Sequence, residues 1–149
     1  MLKGIDPLLT PDLLWVLRAM GHGDDLALVD ANFPAETVAR ETVSGKIVRL
    51  PGLTVARVAR AVLSVLPIDD FVDDPVRRME VVGDAAAVPQ VQEEVKAEIE
   101  AAAGRPVAVY GVERFAFYAA AKKSFAVVQA GDARAYGCFL LRKGVILAE

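Results

Sequence analysis

Histidine and cysteine are nearly missing from this chain of 149 residues, where His22 and Cys138 are the single representatives of their types. One cysteine permits no intrachain disulfide and no cysteine-built zinc cage. One histidine, with no HExxH-type spacing, leaves a catalytic metal without support. No apolar run approaches the roughly 20 residues needed to span a bilayer, because charges interrupt the longest stretches. Basic tracts are missing as well. The chain carries 17 Lys and Arg against 20 Asp and Glu, for a formal net charge of −3. Neither Arg77-Arg78 nor Lys122-Lys123 forms the phosphate-neutralising patch that nucleic-acid affinity requires. There is no GxGxxG after a strand and no GxxxxGK[ST], so nucleotide binding has no motif behind it. The segment Met1 to Pro7 lacks a basic region followed by an apolar stretch, which makes the cytoplasm the expected location.

What is abundant is apolar surface. At 54% apolar residues and a mean hydropathy of +0.37, a chain of this length is expected to form one domain over residues 1–149 and to bury some surface in an oligomer. Thr10-Pro11-Asp12 followed by Leu13, Leu14, Val16 and Leu17 reads as a capped helix with proline at its first position and Gly21 as its stop. Leu26 to Val29 reads as a buried strand, and Phe33-Pro34 imposes an extended or turn conformation after it. Further strands are expected at 46–50, 78–82, 107–110 and 125–129, with helices at 54–66, 88–103 and 113–123. Phe139-Leu140-Leu141 and Val145-Ile146-Leu147, on either side of Arg142-Lys143-Gly144, suggest two strands joined by a short turn. Alternating helices and strands predict an α/β domain, a mixed β-sheet covered by helices in three layers.

The stretch Met20-Gly21-His22-Gly23-Asp24, between the first helix and the first strand, is the strongest candidate for chemistry. Histidine can give and take a proton near neutral pH, and flanking glycines let the backbone turn and leave the imidazole accessible. The competing reading is a helix C-terminal cap. Asp30, at the end of the apolar run 26–29, can face a ligand. Asp69, Asp70, Asp73 and Asp74 read as a solvated loop without the spacing or glycine of a calcium loop. Arg114 is either a ligand-binding donor or a helix-surface ion pair with Glu113 or Asp132. Tyr136 and Tyr118 are candidate phenol donors or half-buried core aromatics. Trp15, on an apolar helix face, reads as core or interface.

Three separated blocks in register resemble the RbsD/FucU family, and more closely its L-fucose mutarotase branch than its D-ribose pyranase branch. They are Met1-Leu2-Lys3-Gly4-Ile5 with Met20-Gly21-His22-Gly23-Asp24 and Val29-Asp30-Ala31-Asn32-Phe33-Pro34; Arg114-Phe115-Ala116-Phe117-Tyr118; and Tyr136-Gly137-Cys138 with Lys143-Gly144-Val145. The resemblance implies an RbsD-like fold, a ring-like homo-oligomer that is often a decamer, and sites near subunit contacts. It implies His22 as the catalytic proton donor, and Asp30, Arg114, Tyr136, Gly137 and Cys138 as substrate-binding positions, with Tyr118 an additional candidate. Cys138 stands where the family usually has asparagine. The implied activity is interconversion of the α and β anomers of L-fucose or a related monosaccharide, with no cofactor. In this reading His22 faces the ring oxygen and Asp30 binds a hydroxyl or orients the imidazole. D-ribose pyranase activity, or a non-catalytic sugar-binding subunit associated with sugar uptake, are the alternatives.

Overall fold

The computed structural model describes residues Met1 to Glu149. Eleven elements alternate along the chain: α1 (Pro11–Ala19), β1 (Asp25–Val29), α2 (Ala35–Ala39), β2 (Ile47–Leu50), α3 (Val55–Leu63), β3 (Val76–Met79), α4 (Gln90–Ala103), β4 (Tyr110–Val112), α5 (Arg114–Lys122), β5 (Ala126–Ala130) and β6 (Phe139–Arg142). The strands form one sheet in the order β2-β5-β1-β6-β3-β4. β1 runs parallel to β5 and antiparallel to β6, and β3 is antiparallel to β6 and parallel to β4, so the sheet is mixed.

The period-2 alternation of side chains along each strand divides the core into two layers. Leu26 and Leu28 of β1, Ala126 and Val128 of β5, and Phe139 and Leu141 of β6 face α1, α3 and α4 in the larger cluster. Ala27 and Val29, Val127 and Leu140 face α2 and α5 in the smaller one. This is the expected three-layer arrangement. Nearly every central-strand residue is fully buried, which is why β1 reads in sequence as a continuous apolar run rather than an alternating one.

Local chemistry sets the helix ends. The Thr10 hydroxyl accepts from Leu13 N–H and the Thr54 hydroxyl from Arg57 N–H, each satisfying one donor that the first helical turn leaves unpaired. No helix is long and apolar enough to cross a membrane.

Three expectations need correction. The turn after Phe33-Pro34 is followed at once by the short helix α2, for which the proline serves as N-cap. β3 begins at Val76 and ends at Met79, and β4 begins at Tyr110, each displaced by two or three residues from the pattern-based bounds. The terminal hairpin does not form. Gly144 packs so tightly that a Cβ there would lie 2.7 Å from the Ile68 carbonyl oxygen and 2.8 Å from Asp69 Cα, and Gly144 N–H donates to Pro67. The chain is thereby drawn along residues 67–69, and Ile146 and Leu147 stay exposed. Trp15 is also half exposed, its ring tilted against Phe125 with the Lys46 ammonium 4.6 Å away.

Candidate functional site

The candidate residues gather at two ends of β1. Its five residues span roughly 17 Å, with His22 before the strand and Asp30 after it. The antiparallel neighbour β6 keeps the same order: Asp25 pairs with Arg142, and Leu28 with Phe139. Lys143 therefore lies beside the His22 turn, while Tyr136, Gly137 and Cys138 lie beside Asp30.

The His22 end is a tight turn. Gly21 N–H donates to Asp24 Oδ2 at 2.7 Å, Gly23 adopts a left-handed φ of 86°, and Gly23 N–H donates to the Lys143 carbonyl. Lys143 Nζ donates to the carbonyls of Leu17 and Met20 at 2.8 and 2.6 Å, closing the C-terminus of α1 that leads into the turn. Burial pulls this ammonium below its ordinary range. The cap that the sequence offered His22 as an alternative is thus made by Lys143.

His22 itself is 48% exposed, with Nε2 3.1 Å from Oδ1 of Asp69, whose side chain is 2% exposed. Phe71 flanks the imidazole at a ring separation of 5.4 Å. Asp69 is not part of a solvated loop. Its amide donates to Arg142 carbonyl, and its carboxylate also accepts from Phe71 N–H at 3.1 Å. Burial pushes its carboxyl upward, but the Phe71 amide and the His22 contact outweigh that and hold it below its ordinary range. Asp69 is therefore an anion fixed against one imidazole nitrogen, while the ring stays half exposed. The aspartate-rich run concealed it, since sequence does not separate a buried member from its solvated neighbours.

At the other end Asp30 is 3% exposed. Oδ1 accepts from Asn32 N–H at 2.9 Å, and Oδ2 accepts from Gly137 N–H at 3.0 Å and from the Cys138 thiol at 3.3 Å. Within one chain Asp30 does not meet His22, whose ring lies against Asp69 instead. The Asp30 carboxylate locks the Tyr136-Gly137-Cys138 backbone. Gly137 is tightly packed, since a Cβ would lie 3.0 Å from Val55 Cγ2 and 3.2 Å from Val91 Cγ2. The Cys138 side chain turns into the core, and burial followed by the Asp30 charge pushes its thiol well above the ordinary value.

Arg114 opens α5 and shares with Glu80, the 81–85 segment and Glu113 the lining of a cavity of about 410 Å³, within the range of small-molecule sites. Neither ion pair considered for it forms. The Glu113 carboxylate caps α5 by accepting from Phe115 and Ala116 N–H, and Asp132 is held by Arg134. Arg114 Nε is buried without a partner, and its guanidinium lies 4.6 Å from the Phe115 ring. Tyr136 Oη accepts from Val82 N–H at 3.3 Å, which sets the phenol against a residue of the cavity wall. Tyr118 packs instead on Phe33 and Phe115 and does not line this cavity. Glu80, unremarked in the sequence, brings a carboxylate to the same wall; Gly111 makes room for it, because a Cβ there would meet Glu80 Oε1 at 2.7 Å.

The imidazole braced by Asp69 and the cavity lined by Arg114 and Glu80 are thus separate features of one chain. The chain belongs to the RbsD/FucU family: the model of the RbsD / FucU transport protein family matches residues 3–146. It is 41% identical over 148 residues to the fucose mutarotase of Homo sapiens, covering 97% of this chain and 94% of that one. It is 40% identical over 145 residues to the L-fucose mutarotase of Actinobacillus pleuropneumoniae serotype 5b (strain L20), covering 97% of both. The crystal structure of the fucose mutarotase in complex with L-fucose from Streptococcus pneumoniae superimposes with a TM-score of 0.87 at 31% identity, over 98% of this chain and all of that one.

Proposed function

We propose that the protein is a sugar mutarotase that interconverts the α and β anomers of L-fucose by general acid–base ring opening and closure. The observation that carries this reading is the match, over nearly the whole of both chains, to a fucose mutarotase solved with L-fucose bound. Mutarotation moves only protons. A donor protonates the ring oxygen as a base takes the anomeric hydroxyl proton, the C1–O5 bond breaks and C1=O forms. After rotation about C1–C2 the same transfers run in reverse. Such catalysis contributes about 10²–10⁴-fold.

In this reading His22 is the proton donor and Asp69 fixes its ring. Arg114 presents its forked donors to sugar hydroxyls, and Glu80 accepts from one. Tyr136, whose phenol accepts from Val82 N–H of the cavity lining, is the partner acid–base group, and Asp30 acts through the backbone of Gly137 and Cys138. His22 and Arg114 lie at opposite ends of β1, too far apart to meet on one monosaccharide within a single chain. The site is therefore completed by the His22 turn of a second copy in a ring-like homo-oligomer, a decamer by family resemblance. Exposed Phe71, Phe115 and Ile146 supply apolar surface for such contacts. The expected location is cytoplasmic, with no cofactor.

Saturation-transfer NMR between the α and β anomeric protons of L-fucose, with D-ribose in parallel, tests the reading. Protein-dependent exchange of L-fucose that disappears in His22→Ala is expected; binding without exchange would establish the non-catalytic sugar-binding alternative. A mixture of His22→Ala and Arg114→Ala, each inactive alone, should regain activity in roughly a quarter of sites by random pairing. No recovery after co-refolding would sink the two-copy site.

A further inference from the structure

Tyr136 is the single non-glycine residue with a positive φ, 66°, a left-handed conformation that is strained for a bulky side chain. Something must hold it there. Gln92, 1% exposed in the first turn of α4, donates through Nε2 to the Tyr136 carbonyl and to the Met79 carbonyl, both at 2.8 Å. Its Oε1 accepts from Arg78 Nη1 at 3.1 Å. Arg78, 8% exposed, also donates to the carbonyls of Ala87 at 3.1 Å and Ala85 at 2.9 Å. All its hydrogen bonds go to neutral oxygens, an expensive way to bury a cation in a fold that could seat an apolar pair instead.

This arrangement reaches Tyr136 from both sides. Gln92 grips its carbonyl, and Arg78 grips the far end of the 80–87 segment, whose Val82 N–H donates to the phenol. The same segment lines the cavity that Arg114 enters. We propose that Gln92, propped by Arg78, is a positioning residue that sets the left-handed backbone of Tyr136 and thereby aims its phenol at the sugar. The inference rests on the mutarotase reading above and adds to it what makes Tyr136 competent.

Gln92→Met keeps the side-chain volume and removes every hydrogen bond. The expected result, measured by L-fucose anomer exchange across a range of sugar concentrations, is a kcat reduced by about tenfold or more with KM changed by less than about threefold. In ¹³C-labelled protein the Tyr136 Cα and carbonyl resonances should leave their left-handed positions while those of β1 stay put. A wild-type kcat, or a reduced kcat with unmoved Tyr136 resonances, overturns the proposal. Should Gln92→Met fail to fold, Arg78→Lys retains the cation but loses the fork; the same fall in kcat is expected, and a wild-type kcat overturns it. If the unmodified protein fails to accelerate exchange, the mutarotase reading falls, and the Tyr136 resonances still decide whether Gln92 sets that backbone.

Discussion

At one end of β1 an imidazole stands half exposed on a glycine-flanked turn against a single buried carboxylate; at the other, a carboxylate is sealed beneath two backbone amides and a thiol. The first group is open to solvent on one side and flanked by Asp69 and Phe71 on the other. The second is 3% exposed and holds the peptide that follows Tyr136 through the Gly137 N–H. A histidine and an aspartate eight residues apart look like one pair in the sequence, yet the intervening strand β1 sends them to opposite ends. Pre-organisation is concentrated at the Asp30 end, where rigidity positions donors. In the proposed mechanism proton transfer sits at the His22 end, where access matters.

Substitution at the two ends should therefore fail in opposite ways, and the largest effect is expected for His22→Ala. Exchange of L-fucose should fall by about 10²-fold or more, while stability changes by about 1 kcal/mol or less because the imidazole is half exposed and its contact with Asp69 is screened by solvent. NMR exchange and chemical denaturation check the pair of outcomes. Asp30→Ala should reverse the balance. It strips the buried Gly137 amide of its acceptor and should cost about 3 kcal/mol in denaturant unfolding. A His22→Ala protein as destabilised as Asp30→Ala would erase the distinction between the two ends.

Asp69→Asn sharpens the same contrast, with a smaller expected effect. An amide keeps the shape but not the charge, and the imidazole can settle in the other orientation or tautomer. A fall in kcat of about tenfold is expected. Stability carries a second signature. The folded carboxyl lies below its ordinary range, so the stability it contributes is present above the unfolded value, about pH 4, and fades as pH falls through the lower folded value. Denaturation curves of wild type and Asp69→Asn should accordingly converge below about pH 4; a gap that stays constant with pH would mean that the ionised carboxylate is not what holds the turn.

Much of this was legible because regular elements advertise themselves by period. α1, α3 and α5 carry apolar residues at helical spacing with threonine or glutamate caps, and β1 is an apolar run of strand length. α2 was not legible: five residues are too few to show a period, and the proline that begins it reads equally as a turn. Val145 to Leu147 has strand composition, but the path of the backbone is decided by the close approach of Gly144 to Ile68 and Asp69, a tertiary fact. Of the candidate residues, His22 could be singled out by type and context, and Arg114 only by the family resemblance. Asp69 was hidden among equivalent aspartates, and Glu80 in a strand end without a pattern. Gln92 left a readable trace. It falls three and seven residues before Val95 and Ile99, on the buried stripe of α4, where a polar residue must find partners.

Cys138 tests the least conspicuous part of the Asp30 end. If its side chain reached the sugar, replacing the family's usual asparagine would change which hydroxyls are recognised. The side chain is instead 2% exposed and directed at Asp30 Oδ2, so Cys138→Asn should leave the ratio of L-fucose to D-ribose exchange rates within about twofold, since an amide can donate to the same carboxylate. The thiol gives an independent reading. Burial and the neighbouring carboxylate raise its pKa, so the native protein should resist alkylation at pH 8 and react when unfolded in guanidinium. The stability tied to the protonated thiol is full below about pH 8.5 and declines as pH rises beyond it. Rapid native alkylation would mean that the peptide opens readily, and a cradle that opens cannot hold Tyr136 in its left-handed conformation.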